Sequence, residues 1–317
     1  MKEGLPLFPD AASSWAKGVD QLYFYLLGVS GFFALLISVL IVVFAIRYRR
    51  SKGHQAVQIA GNVPLEIFWM GVPLVLALSM FVWGAKLFVE VSNPPAGATE
   101  IHVVAKQWMW KIQHRGGQRE IDELHVPVGE PVRLVMISQD VIHSFFVPAF
   151  RMKRDVLPGR YSTTWFQATR PGTYHLFCAE YCGTKHSHMV GRVHVLEQAE
   201  FERWLASTPV LEGPLDAGHR LFEALRCDTC HSPTSGPRGP DLTGLYGRQV
   251  ALAGGGRVLA DEGYLRQSIL DPHALLVEGY EPLMPSYAGQ VDEDQVLQLI
   301  AYLKSLGGAP PAGGARR

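Results

Sequence analysis

Two long apolar runs dominate the first third of the chain. The first, Leu22 to Ile46, holds no charged residue; the second, about Leu65 to Val89, is broken only by Glu66 and Lys86. Each exceeds the roughly 20 residues a helix needs to cross a bilayer. Neither keeps the polar face that a core helix of a soluble protein presents. The pattern therefore predicts two transmembrane helices at about 22–46 and 65–89, inside a membrane region 21–91 preceded by an outer segment 1–20.

Beyond Ser92-Asn-Pro-Pro-Ala-Gly97, a run of turn formers, the period changes. Short alternating stretches follow, among them Ile101-His-Val-Val-Ala105, Val132-Arg-Leu-Val-Met136 and Gly191-Arg-Val-His-Val195. Strands of this kind, separated by Gly and Pro, predict an all-β sandwich over 92–206, closed by a short helix from Glu197 to Ala206. A linker, 207–213, leads to a mostly helical domain, 214–307. Its first helix spans Asp216–Leu225, and its last, Asp292–Leu306, carries an apolar stripe at Val296, Leu299, Ile300 and Leu303. The Gly-, Ala- and Pro-rich end, 308–317, reads as a disordered tail.

Charge adds topology. The 317 residues carry 29 Lys and Arg against 29 Asp and Glu, so nothing suggests a nucleic-acid partner. Arg47, Arg49, Arg50 and Lys52 cluster between the two apolar runs. Basic residues stay cytoplasmic, which places both chain ends and both soluble domains on the outer, periplasmic side of a bacterial-type cell membrane. Residues 1–20 lack the positive start and apolar core of a cleaved leader.

The four cysteines fall in two close pairs. An oxidising compartment first suggests disulfides, but each pair sits among other ligand-type side chains. Cys178, Cys182, His186, His188 and Met189 fall within twelve residues between two predicted strands. Soft sulfur with imidazole suits copper in electron transfer. Zinc would leave the methionine without a role. His143, in Asp140-Val-Ile-His-Ser-Phe-Phe-Val-Pro148, is the candidate distant ligand; chemistry alone does not choose between His186 and His188. Cys227-Asp-Thr-Cys230-His231 is an attachment motif for a c-type haem, with His231 as one axial ligand. Met284 is the sole methionine beyond residue 189 and the candidate for the second.

The copper loop resembles the binuclear copper A loop of cytochrome c oxidase subunit II, and the likeness runs over 20–205. The resemblance implies Cys178 and Cys182 as bridges between two coppers, and His143 and His186 as one ligand each. Met189 would complete one copper and the Glu180 carbonyl the other, with the Glu180 side chain toward a magnesium shared at the subunit boundary. Lys153-Arg-Asp155-Val-Leu-Pro158-Gly-Arg160 resembles the family's segment near that boundary. Glu66-Ile-Phe-Trp-Met-Gly-Val-Pro73 resembles the start of its second membrane helix, where the glutamate stands at a proton-pathway entrance. Gln107-Trp108-Met109-Trp110 resembles its electron-entry patch, with Trp108 as entry residue; Met109 departs from the aromatic usual there. Residues 214–307 resemble a class I cytochrome c, with Gly218 and Phe222 crossing Tyr302 and Gly239-Pro240-Asp241-Leu242 near the haem histidine.

The expected protein is a two-helix membrane anchor, a cupredoxin-like sandwich and a helical cytochrome c domain. It would pass electrons from an external donor, cytochrome c or similar, through haem c and copper A to catalytic subunit I of a haem-copper oxidase, coupled to proton pumping. The chain lacks the membrane histidines of an oxygen-reducing centre, so it is part of an enzyme with other oxidase subunits. A nitric oxide reductase partner, or a non-enzymatic membrane redox or copper-binding protein, are the alternative readings.

Overall fold

A computed structural model describes residues 8–49, 61–210, 212–231 and 238–307. Arg50 and Lys52 of the basic cluster and the tail 308–317 lie outside the described residues. The chain divides into a unit at 13–93 and a second unit made of the segment before it and residues 94–317.

The first unit is a helical hairpin. Helices α1 (Ala16–Arg47) and α2 (Val63–Ser92) are longer at both ends than the apolar runs that predict them. Polar residues such as Lys17, Asp20 and Glu90 extend each helix past its apolar run; a helix needs only paired backbone groups to continue. At the start of α2 the Asn62 side chain accepts from the backbone N–H of Leu65 at 3.2 Å, satisfying an end group that has no helical partner. The Tyr25 and Ser79 hydroxyls meet at 2.7 Å, and Gly18 faces Leu87, so the helices run antiparallel. Their most apolar windows have mean hydropathies of 2.9 and 2.0 with none of either buried, the surface expected of helices that lipid covers.

The second unit begins with the five strands β1 (Thr99–Lys106), β2 (Met109–His114), β3 (Arg119–Ile121), β4 (Glu123–Pro127) and β5 (Pro131–Ser138). β6 (His143–Val147), β7 (Met152–Val156), β8 (Ser162–Gln167), β9 (Gly172–Cys178) and β10 (Val190–Leu196) complete the sandwich. They form two sheets, ordered β3-β2-β1-β5-β8 and β4-β10-β9-β6-β7. Trp110, Phe145, Phe150, Phe166 and Leu134 fill the space between them, each fully buried. β2 alternates buried and half-buried positions as a one-sided strand should. β1 and β5 do not: Val104, Val135 and Ile137 point away from the sandwich core yet are buried. The chain segment before α1 is tied to the sandwich, with Ala12 N–H bonded to Ala149 O and Thr169 N–H to Ala12 O, each at 2.9 Å.

After α3 (Gln198–Ser207) come α4 (Pro214–Ala224), the single turn α5 (Asp228–His231), the small hairpin β11 (Gln249–Ala251) and β12 (Arg257–Leu259), α6 (Glu262–Leu270) and α7 (Glu293–Ser305). α7 opens with a reciprocal cap between Asp292 and Gln295. α4 crosses α7 at Gly218, where any Cβ would run into the Gln298 carbonyl and Tyr302, and Phe222 lies 5.3 Å from the Tyr302 ring. The hairpin and α6 carry no strong periodic signal, being too short, and are additions to the sequence reading.

Candidate functional site

The pairing of β6 with β9, and of β9 with β10, brings three distant segments to one end of a sheet. Phe145 pairs with Cys178, and the Cys178 N–H donates to Met189 O at 3.2 Å, so the loop between them starts and ends on neighbouring strands. His143, Cys178, Cys182 and Met189 are all buried there. The ligand atoms of His143, Cys178 and Cys182 lie within 4.8 Å of one another. The two sulfurs are 3.8 Å apart; His143 Nδ1 is 3.9 Å from Cys178 Sγ and His186 Nδ1 3.4 Å from Cys182 Sγ. Met189 Sδ stands 3.9 Å from Cys182 Sγ, and the Glu180 carbonyl 3.2 Å from Cys178 Sγ. His186, of the two loop histidines, thus reaches a sulfur. All six side chains and carbonyls expected as copper ligands converge.

Two residues the sequence reading did not single out hold this loop. Asp140 Oδ1 accepts from His143 Nε2 at 2.8 Å, which leaves Nδ1 turned toward the sulfurs. Asp140 also accepts the N–H groups of Gln107 and Val141, each at 2.7 Å. Gln107 Nε2 in turn donates to the Cys182 carbonyl at 2.7 Å. A carboxylate three residues before the histidine was the available signal; Gln107 offered none. Trp110 proves to be sandwich core, packed 5.1 Å from Phe145, whereas Trp108 is half-buried beside Gly183 with the Lys185 ammonium 5.7 Å above its ring.

Burial disfavours ionisation of both thiols. At Cys178, hydrogen bonds to His143 and to the backbone at Ser144 and Glu180 outweigh it and bring the thiol down to about 6. At Cys182, burial and the neighbouring Cys178 charge push it up to about 12. A soft cation entering the site would draw off both protons. The donor set of two thiols, two imidazoles, a thioether and a carbonyl fits copper; a four-coordinate zinc would leave the buried Met189 sulfur idle.

The haem motif sits on a single turn. Backbone bonds from Cys230 and His231 back to Cys227 O, at 3.2 and 3.1 Å, put all three side chains on one face. His231 Nδ1 lies 2.9 Å from Pro240 O, so Nδ1–H donates there and Nε2 is left to face an apolar cavity. A Cβ on Gly239 would sit 2.9 Å from the His231 ring, which accounts for glycine at that position. Phe222, Cys227, Cys230, His231, Met284 and Leu299 line this one cavity. An apolar cavity with paired thiols, an imidazole and a thioether on its walls fits a covalently held haem.

Comparison with known proteins agrees. The family model "Cytochrome C oxidase subunit II, periplasmic domain" matches residues 99–196, its transmembrane-domain counterpart matches 2–85, and the cytochrome c model matches 215–307. Cytochrome c oxidase subunit 2 of Alkalihalophilus pseudofirmus is 32% identical over 288 residues, which cover 84% of this chain and 82% of that protein. The chain belongs to the cytochrome c oxidase subunit II family. Subunit 2 of Thermostichus vulcanus is 29% identical over 266 residues, covering 65% of this chain and 81% of the relative. The crystal structure of the periplasmic domain of subunit II from Bradyrhizobium japonicum is 31% identical, covering 37% of this chain and 96% of that one, with a TM-score of 0.35.

The chain is therefore a subunit of an oxidoreductase complex, with two membrane helices, a cupredoxin-like sandwich outside the membrane and a C-terminal cytochrome c domain. The sandwich implies copper and the cytochrome domain implies haem. Magnesium gains no support. The Glu180 side chain is exposed, and among the described residues the one cluster of three or more metal-type His, Cys, Asp or Glu groups is His143, Cys178 and Cys182. Glu66 occupies the first turn of α2, where a carboxylate also favours the helix N-terminus.

Proposed function

We propose that this subunit relays electrons from an external donor, cytochrome c or similar, through its haem to a binuclear copper centre. They then pass to a separate catalytic subunit that reduces oxygen to water, coupled to proton pumping. Copper pair and haem iron, when bound, supply the one-electron redox chemistry. The chain's own part is to hold them still: Cys178, Cys182, His143, His186, Met189 and the Glu180 carbonyl would bind the coppers, and Cys227, Cys230, His231 and Met284 the haem. The observation that carries this reading is the convergence of those six copper-type donors around two sulfurs 3.8 Å apart. Asp140 and Gln107 brace the loop from β1 and the strand β6 entry, so the site need not rearrange when its charge changes. Glu66 would stand at the mouth of a proton route into the catalytic subunit, and Trp108 would serve as an electron-entry residue at the sandwich surface.

The test is optical and EPR spectroscopy on the purified chain, with Cys182→Ser and Met284→Ala alongside. A c-type haem spectrum with the multiline signal of a shared-electron copper pair is expected. The cysteine variant should lose the copper signals alone, and the methionine variant should change the haem alone. Zinc in place of copper would end the electron-transfer reading of the sandwich.

A further inference from the structure

The outward face of β1 and β5 is covered by the cytochrome domain. In register, Glu100, His102 and Val104 lie beside Arg133, Val135 and Ile137. Leu297 of α7 is buried against Val104 and Ile137, and Tyr161 of the sandwich packs into the same cluster and into the cytochrome core. Charges of opposite sign meet around this apolar centre. Lys304 Nζ lies 2.9 and 3.1 Å from the two Glu100 oxygens and 3.0 Å from Glu262 Oε1. Arg133 reaches Glu100 at 3.0 Å and Glu262 at 3.5 Å. At the rim, Lys111 Nζ meets Asp294 at 3.0 Å, and Arg266 donates to Gly159 O at 2.9 Å while pairing with Glu293.

α7 is the wall between this interface and the haem cavity. Leu299 and Leu303 line the cavity, while Asp294, Leu297 and Lys304 meet the sandwich. A helix with its side chains is about 10 Å across. From Val104 the chain runs three residues to Gln107, just past the end of β1, whose side chain bonds the Cys182 carbonyl at 2.7 Å. Packed atoms, one strand and one hydrogen bond thus join the two centres. Trp108 instead lies against the copper loop, beside Gly183 and under the Lys185 ammonium.

We infer that the cytochrome domain delivers electrons from a fixed docking on this sheet face, held by the Glu100–Arg133–Glu262–Lys304 quartet, through α7, β1 and Gln107. It does so without swinging on the segment after α3 to present its haem at Trp108. The inference rests on the proposed path from haem to copper. Trp108 and its surroundings are then left to a partner other than the chain's own cytochrome domain.

The test uses the full chain carrying both cofactors, as wild type, as Lys304→Glu, and as the charge-swapped pair Glu100→Lys with Lys304→Glu. Hydrogen exchange along β1 and α7 reads the docking; the haem-to-copper rate after rapid reduction of the haem reads the path. Lys304→Glu sets three carboxylates against one guanidinium, and should raise exchange on both elements and slow transfer by about tenfold or more. The swapped pair restores a neutral quartet and the attraction between positions 100 and 304, but sets like charges at 100 beside Arg133 and at 304 beside Glu262, so both readings should recover in part. Should Lys304→Glu lose its haem spectrum by misfolding, Asp294→Lys against Lys111, rescued by adding Lys111→Asp, makes the same comparison at the rim. Raised exchange with an unchanged or faster rate would overturn the inference, because transfer would then not need the docking. Unchanged exchange would overturn the role of the quartet. A wild type with no haem-to-copper transfer but responsive exchange would overturn the electron path itself.

Discussion

Asp140 Oδ1 holds His143 Nε2 at 2.8 Å, and the same carboxylate accepts the N–H of Gln107 from just past the end of the neighbouring strand β1. One side chain therefore fixes both the ring orientation of a copper-type ligand and the strand end that braces the loop. Burial would raise the Asp140 pKa, but the hydrogen bonds from Gln107, His143 and Val141 hold it below the usual carboxylate range. Asp140→Ala should lower copper affinity by roughly 10–100-fold, the usual cost of removing a group that orients a metal ligand. A chelator competition titration measures this, with far-UV circular dichroism expected to stay as in wild type. An unchanged affinity would show that the buried ring orients itself.

Gly183 allows the copper loop to close. Its φ of +116° is one that side chains strain to adopt, and an added Cβ would sit 2.9 Å from Gln107 Nε2 and 3.4 Å from the Trp108 ring. Gly183→Ala should cost about 1–3 kcal/mol for the backbone alone. It should also break the bond from Gln107 to the Cys182 carbonyl. Chemical denaturation gives the first effect, and a broadened copper EPR signal the second. Wild-type stability and spectrum together would count against this account.

Much of this architecture is legible before any coordinates. The apolar runs announce α1 and α2, and the crowded ligand residues from Cys178 to Met189 and from Cys227 to His231 announce both sites, because such side chains seldom cluster without a ligand. The supporting groups are another matter. Gln107 is an ordinary polar residue until strand pairing brings it to Cys182, 75 residues away in sequence. The interface is half-visible: Val103-Val104-Ala105 and Leu134-Val-Met-Ile137 are continuous apolar runs, the mark of strands buried on both faces. What covers the second face depends on long-range charge pairs such as Glu100 with Lys304, which no local period encodes.

Tyr161 carries a hydroxyl buried at the interface without a hydrogen-bond partner among the described residues. Burial, with the nearby Glu293, pushes its pKa well above the usual phenol range, so it is a neutral, unsatisfied group. Leaving such a group buried costs about 1–3 kcal/mol. Tyr161→Phe keeps the ring that packs on Val104, Ile137 and Leu297 and removes the unpaired oxygen. The variant should unfold at higher denaturant concentration, by about 1 kcal/mol. A destabilised Tyr161→Phe would mean that the hydroxyl finds a partner in solution, such as a bound water.

The docking quartet should fail in acid. Glu100 is faced by His102 on its own strand, Arg133 on β5 and Lys304 on α7, with Glu262 of α6 and Tyr246 completing the cluster. Burial opposes its charge, but His102 and Lys304 outweigh burial and hold its pKa far below the ordinary 4.5. Glu262 is likewise lowered, burial being overcome by Lys304, Tyr246 and Arg133. A carboxylate with a depressed folded pKa stabilises fully above its unfolded value and loses that contribution as pH falls through the folded one. Hydrogen exchange on α7, corrected for its intrinsic pH dependence, should therefore hold steady from neutral pH down to about 4.5 and rise progressively below it. Glu100→Gln should weaken docking at neutral pH and flatten that acid response. An interface that loosens already between neutral pH and 4.5 would show that its acid response does not come from Glu100 and Glu262.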